Sequence, residues 1–102
     1  MIARVASFEG VNVEAAQSSM DEAEAVIRPM LAALAGYSGG LELFAENGKF
    51  LSISLFDSVE NAQAAEPTFD QEMPEKLGRI FQQWEGTRVS VDLYHVAGDD
   101  RR

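Results

Sequence analysis

The alternation of hydrophobic and polar residues is clearest in the middle of the chain, on both sides of an Asn-Gly pair. It runs over residues 41–45 and resumes over residues 50–56, with the two-residue period of a β-strand. Asn47 and Gly48 tolerate positive φ at both positions, as the type I′ turn of a two-residue hairpin requires. The pattern therefore predicts two antiparallel strands joined by such a turn.

The predicted strand at residues 50–56 has two different faces. One face is aliphatic and consists of Leu51, Ile53 and Leu55. The other face combines aromatic rings with small hydroxyl groups: Phe50, Ser52, Ser54 and Phe56. Such a face is either a partly solvated sheet surface or the wall of a cavity, and the solvated surface is the favoured interpretation.

A first strand is predicted over residues 1–8, where Arg4 shares a face with Ile2, Ala6 and Phe8. An arginine among apolar neighbours is explained by an edge position or by a side chain that extends to solvent. The alternative is a charge directed into a pocket. The edge or solvent-reaching position is the favoured interpretation.

The first helix is predicted to begin at Ser19, after a loop over residues 9–18. Ser19 and Glu22 have the spacing of a capping box. The apolar stripe that follows has helical spacing and consists of Ala23, Val26, Ile27, Met30, Leu31 and Leu34. Pro29 interrupts this stripe without changing its phase, so we expect a kink rather than an end. Gly36 suits the left-handed conformation found after a helix.

A second helical region is interrupted by two prolines. Asp57 or Ser58 is expected to cap a short helix, which Pro67 ends. A connector is expected over residues 68–73. Pro74 then suits the first turn of another helix.

The last helix and the last strand complete the pattern. The helix is expected to end at Gly86, and its apolar stripe consists of Leu77, Ile80, Phe81 and Trp84. A strand follows over residues 88–96, and residues 98–102 are expected to form a frayed tail. Tyr94 and His95 fall on opposite faces of this strand.

The order of these elements is β-α-β-β-α-β, which is the ferredoxin-like order of an α+β domain. It predicts a four-stranded antiparallel sheet with both helical regions on one face. Several strands carry apolar side chains on both faces, although helices can cover only one. We therefore predict that the open face meets a second copy, giving a homodimer that forms a dimeric α+β barrel.

Length and composition limit the class of protein. We expect residues 1–102 to form one domain. The absence of cysteine excludes disulfides and thiolate metal sites, and no metal-spaced cluster appears. The formal net charge of −9 makes nucleic acid and anionic membrane surfaces unlikely partners. No apolar run approaches a membrane span and no signal peptide is visible, so we expect a cytoplasmic location.

The chain resembles the dimeric α+β barrel superfamily, in the small branch called antibiotic-biosynthesis monooxygenase-like. The resemblance spans nearly the whole chain and is carried by MIARVASFEG, VIRPMLAALAGYSGG, NGKFLSISLFDSVENAQAAE and VDLYHVA. None of these stretches is a catalytic signature, so the resemblance implies a fold more than an activity. It implies either a cofactor-independent monooxygenase acting on quinols or aromatic polyketide-like compounds, or a small-molecule-binding protein.

The chain departs from the family pattern at several positions. Members of the family commonly have tryptophan where this chain has Phe56, and histidines in the helix that follows, where residues 59–66 contain none. The haem-degrading branch uses an asparagine on the first strand, which is absent here. Haem cleavage is therefore disfavoured. The resemblance is compatible with quinol oxygenation without metal, flavin or other cofactor, in which the protein binds, deprotonates and shields the substrate.

The candidate catalytic residues are His95 and Arg4. His95 is the side chain whose unperturbed pKa lies near neutrality, and an arginine can stabilise a phenolate. One histidine cannot form a dyad, and both residues also have structural explanations. The candidate pocket residues for a small aromatic ligand are Phe44, Ser54, Phe56, Trp84 and Tyr94. The alternative to an oxygenase is a non-catalytic binding protein or a structural dimer.

Overall fold

The computed structural model describes residues 1–100 of the 102-residue chain. Four strands form one sheet: β1 (Ile2–Glu9), β2 (Tyr37–Phe44), β3 (Phe50–Phe56) and β4 (Thr87–His95). The helical elements are α1 (Val13–Ala32), α2 (Val59–Ala64), a π-helical segment (Thr68–Glu72) and α3 (Met73–Trp84). This confirms the predicted ferredoxin-like order. Within residues 1–100, no helix combines the length and apolar character that crossing a bilayer would require.

The sheet is antiparallel throughout, and its strand order is β2-β3-β1-β4. The first and third strands are therefore central, and the second and fourth are at the edges. Ile2 pairs with Phe56 and Phe8 pairs with Phe50, so the face that carries Arg4 on β1 continues across β3. This face is covered by helices, and the opposite face carries the aliphatic residues Leu51, Ile53 and Leu55.

The covered face holds the hydrophobic core. Phe50 and Phe56 are buried, and Ser54 between them is only 2% exposed. The interpretation of this face as a partly solvated surface is therefore wrong. Pairs of ring centroids 4.6–6.4 Å apart connect an aromatic cluster made of Phe8, Phe44, Phe50, Phe81 and Trp84. Aromatic pairs at such distances contribute beyond their buried area.

The first helix begins six residues earlier than predicted. Asn12 is its N-cap, and the Asn12 side chain accepts a hydrogen bond of 3.1 Å from the backbone N–H of Ala15. The predicted cap Ser19 lies inside the helix and donates its hydroxyl proton to the Ala15 carbonyl at 2.8 Å. The helix continues through Pro29 to Ala32, as predicted.

The hairpin between β2 and β3 has a different turn from the predicted type I′. The backbone N–H of Gly48 donates to the Ala45 carbonyl at 3.1 Å, and the N–H of Ala45 donates to the Lys49 carbonyl at 2.9 Å. Gly48 has a φ of +89°, whereas Asn47 does not have positive φ. The loop therefore contains three residues, with one left-handed position at Gly48. The side chain of Asn47 accepts a hydrogen bond from the backbone N–H of Lys49 at 3.2 Å.

We expect Gly48→Val to lower the free energy of unfolding by about 1–3 kcal/mol, because a β-branched residue is strained at positive φ. A Cβ atom at Gly48 would also lie 3.0 Å from the Val11 carbonyl oxygen. Urea unfolding measures the effect. Gly98→Val is the control, because a Cβ atom there meets nothing within 4 Å. Equal unfolding midpoints for the two variants would contradict the assigned turn.

The second helical region differs from the prediction at its middle and its end. Ser58 rather than Asp57 caps α2, accepting from the backbone N–H of Asn61 at 3.1 Å. The stretch predicted as a connector is the π-helical segment, which leads directly into α3. The last helix was expected to end at Gly86, but α3 ends at Trp84 and is followed by Glu85 in a left-handed conformation, with a φ of +62°. Of the predicted tail, residues 98–100 lack regular secondary structure, and Arg101 and Arg102 lie outside the described residues.

Candidate functional site

A cavity of about 420 Å³ lies between the covered face of the sheet and the helices α1 and α3. Ligand pockets of small molecules commonly have volumes of about 300–1,000 Å³. Residues from the strands β1, β2, β3 and β4, from both helices and from the π-helical segment line it. Its walls are therefore supplied by most of the chain.

Apolar and aromatic side chains form most of the cavity wall: Phe8, Met20, Ile27, Leu31, Phe50, Phe69, Met73, Phe81 and Trp84. The indole N–H of Trp84 donates to the hydroxyl of Ser19 at 2.8 Å, which fixes the ring between α3 and α1. Such a surface fits flat apolar ligands, because rings stack on rings and exclude water.

Two carboxyl groups, Glu24 on α1 and Glu42 on β2, lie together in this wall. The Glu24 and Glu42 carboxyl groups lie close enough to share a hydrogen bond when one of them is protonated. The pKa of Glu42 is raised from 4.5 to about 7, first by burial and then by the hydrogen bond and charge of Glu24, while Arg28 opposes the shift. Arg28 is 80% exposed, and its Nε atom lies 2.9 Å from an oxygen of Glu24. Glu42 also faces Ser52, its cross-strand neighbour in the cavity.

The raised pKa of Glu42 predicts a dependence of stability on pH. Its pKa is higher in the folded protein than the ordinary value of 4.5, which means that protonation of Glu42 favours the folded state. This contribution to the free energy of unfolding is complete below about pH 4.5 and is lost as pH rises through about 7. Glutamine imitates the protonated carboxyl group. After allowance for solvent screening, we expect Glu42→Gln to be more stable than wild type by about 1–2 kcal/mol at pH 8.

Urea unfolding at several pH values measures this difference. At pH 4 the two proteins should be equally stable, since Glu42 is then protonated. Glu46→Gln on the exposed hairpin is the control, and it should follow wild type at every pH. A difference between Glu42→Gln and wild type that stays constant from pH 4 to pH 8 would contradict the raised pKa.

Arg4 lies elsewhere in the cavity wall and is paired. Its Nε atom donates to one oxygen of Glu66 at 2.9 Å, and its Nη2 atom donates to the other at 3.3 Å. The guanidinium carbon lies 3.8 Å from the centroid of the Phe69 ring, a cation–π contact. Arg4 is on a central strand and is only 2% exposed, so the edge or solvent-reaching interpretation is wrong.

A second ion pair lies where the wall faces solvent. Arg88 on β4 and Asp70 on the π-helical segment are joined by a contact of 2.8 Å, and both side chains are more than two fifths exposed. Exposed pairs of this kind contribute at most about 1 kcal/mol. The contact links the start of β4 to the segment that carries Phe69.

Comparison with known proteins identifies the fold. No protein-family model matches the chain, and no curated protein matches it. Solved structures do match over nearly the whole chain. A dimeric ferredoxin-like protein from an uncultured marine organism has a TM-score of 0.70 and 13% identity, with 100% of each chain covered. The chain therefore shares the ferredoxin-like fold of this structure.

Two further structures with this fold are named as oxygenases. A candidate antibiotic biosynthesis monooxygenase from Bordetella bronchiseptica has a TM-score of 0.69 and 15% identity, and the match covers 94% of this chain and 96% of that one. SnoaB, a cofactor-independent oxygenase from Streptomyces nogalater, has a TM-score of 0.63 and 12% identity, with 99% and 97% covered. At these identities the likeness shows the fold.

Within this fold, the residues predicted from the sequence are divided among several places. Arg4 and Trp84 line the cavity. Phe44 does not line the cavity, and its ring is stacked on that of Phe50 with the centroids 4.6 Å apart. Ser54 and Phe56 are buried on the same sheet face but do not line the cavity.

The last strand places its two candidates away from the cavity. His95 is exposed and pairs with Ile2 at the end of the sheet. Tyr94 is 54% exposed and lies on the open face beside Ala3. The structure therefore does not bring His95 and Arg4 together in the cavity.

The sequence pattern did not predict the pair formed by Glu24 and Glu42. Glu42 and Phe44 are two residues apart and therefore lie on the same face of β2. An acidic residue on the face that the helices cover would have indicated a buried polar site. A helix beginning at Ser19 would place Glu24 near its N-terminus, but α1 begins at Val13. With the correct start, Glu24 lies four residues after Met20 and three before Ile27, on the side of α1 that faces the cavity.

Proposed function

We propose that the protein binds a flat, electron-rich aromatic compound in this cavity and catalyses its oxygenation without a cofactor. The observation that carries the proposal is the apolar cavity of about 420 Å³ with a carboxyl group of raised pKa in its wall. A general base whose pKa lies near the working pH is well suited to removing a phenolic proton. The resemblance in fold to SnoaB, described as a cofactor-independent oxygenase, supports the same chemistry.

In this reaction the substrate supplies the electrons that reduce dioxygen. For the test compound α-naphthol, one molecule reacts with one dioxygen to give para-naphthoquinone and one water. One oxygen atom enters the ring at the carbon opposite the hydroxyl, and the other leaves as water with the two displaced hydrogen atoms. The protein removes the phenolic proton, holds the ring and excludes bulk water from it.

Oxygen uptake is the measurement that tests the oxygenase. We expect uptake above the buffer rate with α-naphthol or naphthohydroquinone, without added metal or flavin. With α-naphthol, one atom of labelled dioxygen should enter the product. Ala6→Phe should abolish uptake, because Ala6 lines the cavity and the new ring would fill it. Its circular dichroism and unfolding midpoint show whether the variant still folds.

His95→Ala is the comparison variant and should retain full uptake, since His95 lies outside the cavity. Loss of uptake in His95→Ala would place the chemistry at the end of β4 instead. No uptake above the buffer rate across the panel would contradict the oxygenase.

Binding without turnover is the second candidate, and the cavity itself supports it. An aromatic ligand that binds only the folded protein would raise the unfolding temperature, and the rise would grow with the logarithm of its concentration over Kd. A thermal shift with no oxygen uptake would favour this function.

We also propose that the protein is a homodimer joined through the open faces of two sheets. The related ferredoxin-like structure from the marine organism is described as dimeric. Leu41, Leu43 and Tyr94 on this face are 45–57% exposed in the single chain, so the face presents apolar surface that a second copy would cover.

A further inference from the structure

We propose that Glu42 is the proton acceptor for a hydroxyl group of the bound aromatic ligand, and that Glu24 is a positioning residue that carries the proton toward solvent. This rests on the proposed binding of an aromatic compound in the cavity, and it does not require oxygenation. It also defines the ligand class as neutral, planar and hydroxylated.

The pairing of the charged groups in the cavity wall distinguishes Glu42 from the others. Arg4 is held by Glu66, and Asp70 is held by Arg88. Among residues 1–100, no basic side chain forms an ion pair with Glu42, and its partner is the carboxyl group of Glu24. Glu42 is therefore an acceptor in an apolar wall whose charge is not neutralised by a direct cation.

Glu24 and Glu42 lie together in the cavity wall and can share a hydrogen bond once one of them is protonated, which defines a short route for a proton. In the first step the O–H bond of the ligand breaks, an O–H bond forms on Glu42, and the ligand oxygen keeps the electron pair. The proton then crosses the hydrogen bond to Glu24. Glu24 is bonded to Arg28, which is 80% exposed, so the route ends at solvent on the outer side of α1.

The surrounding charges set the pH at which Glu42 can accept this proton. From α1, Glu24 raises its pKa and Arg28 lowers it, and Asp21 acts on Arg28. From its own strand, Tyr37 has a pKa that is itself raised, by burial and then by the charges of Glu42 and Glu24.

Glu42 is therefore ionised, and able to accept, above about pH 7. Its raised pKa makes ionised Glu42 a stronger base than an ordinary carboxylate, so proton transfer from a phenol is less unfavourable. The other charged groups near the cavity form two ion pairs, Arg4–Glu66 and Arg88–Asp70. Each pair has one positive and one negative charge.

The same carboxyl pair disfavours an anionic ligand. A sulfonate or carboxylate placed beside two acidic groups in an apolar wall would be repelled, and its own charge would lose hydration. A neutral phenol instead donates a hydrogen bond to Glu42. Ser52 lies opposite Glu42 in the strand register and adds a second polar group at the same place.

The test uses two probes that differ in one hydroxyl group, β-naphthol and naphthalene, with binding measured by fluorescence in the absence of dioxygen. At pH 8 wild type should bind β-naphthol at least about tenfold more tightly than naphthalene, because a hydrogen bond to a charged group is strong in a buried site. Naphthalene sulfonate should bind more weakly than naphthalene. Glu42→Gln should lose most of the preference for β-naphthol and bind naphthalene with unchanged affinity, which also shows that it folds.

Glu24→Gln distinguishes a positioning role from a merely structural one. This variant should keep the hydroxyl preference at pH 8, but the preference should appear at a lower pH than in wild type, since the charge of Glu24 no longer raises the pKa of Glu42. Glu46→Gln is the control and should match wild type in both probes at every pH. An unchanged pH profile in Glu24→Gln would overturn its role.

The outcomes separate this inference from the proposed function. Equal affinities for the two probes in wild type, or a Glu42→Gln variant that weakens both equally, would overturn Glu42 as acceptor while leaving the binding cavity intact. Absence of oxygen uptake with normal naphthol binding would contradict the oxygenase alone. Failure of wild type to bind either probe would contradict the binding function and the proton acceptor together.

Discussion

Arg4→Ala is expected to lower the free energy of unfolding by about 2–4 kcal/mol. The guanidinium is almost fully buried, donates two hydrogen bonds to Glu66 and lies over the Phe69 ring. Breaking a buried ion pair costs about 3–5 kcal/mol when the remaining charge stays buried. Glu66 is 37% exposed and can regain part of its hydration, which reduces the expected loss.

A double-mutant cycle separates the ion pair from the packing of the arginine stem. Arg4→Met keeps most of the side-chain volume, and Glu66→Gln removes the other charge. We expect a coupling energy of about 1–3 kcal/mol between these two substitutions in urea unfolding at pH 7. Arg79→Ala on the exposed side of α3 is the control and should change stability by less than about 0.5 kcal/mol. A comparably small effect of Arg4→Ala would contradict a stabilising role.

This pair also explains why Arg4 was difficult to assign from the sequence. An arginine on a strand face indicates an unusual environment, but its partner Glu66 lies 62 positions away, in a stretch predicted to be the end of a short helix. No local pattern connects the two residues. The fold brings them together because β1 is a central strand and the second helical region crosses above it.

The strands could be predicted because each part of their pattern is local. Alternation assigned the two faces of β3 correctly, and the register with β1 keeps those faces continuous. Which face the helices cover depends on the crossover connections instead. The serine residues of β3 favoured a solvent-exposed face, yet Ser52 lines the cavity and Ser54 is buried.

The carboxyl pair could not be predicted for the same reason. Glu24 has an acceptable local explanation as an acid near a helix N-terminus, and Glu42 has one as a polar residue in an edge strand. Each explanation holds in isolation. The pairing follows from the true helix start at Val13, which places Glu24 in the middle of α1 rather than near its N-terminus.

The proposed dimer predicts the response to a charge in the middle of the open face. Ile53 lies on the central strand β3, between Val5 and Leu41 of its two neighbours. In a face-to-face dimer Ile53→Glu would bury an unpaired carboxylate, which costs several kcal/mol unless the chains separate. We expect light scattering at micromolar concentration to give a dimer mass for wild type and a monomer mass for Ile53→Glu.

Gln83→Glu is the matched control for this substitution. It adds the same charge at an exposed position of α3, away from the open face, and should remain dimeric. Each chain carries a formal net charge of −9, so two chains repel one another and added salt should strengthen the wild-type dimer. A monomer mass for wild type, or a dimer that tolerates Ile53→Glu, would show that the open face has another role, because its aliphatic residues would then meet water or a different partner.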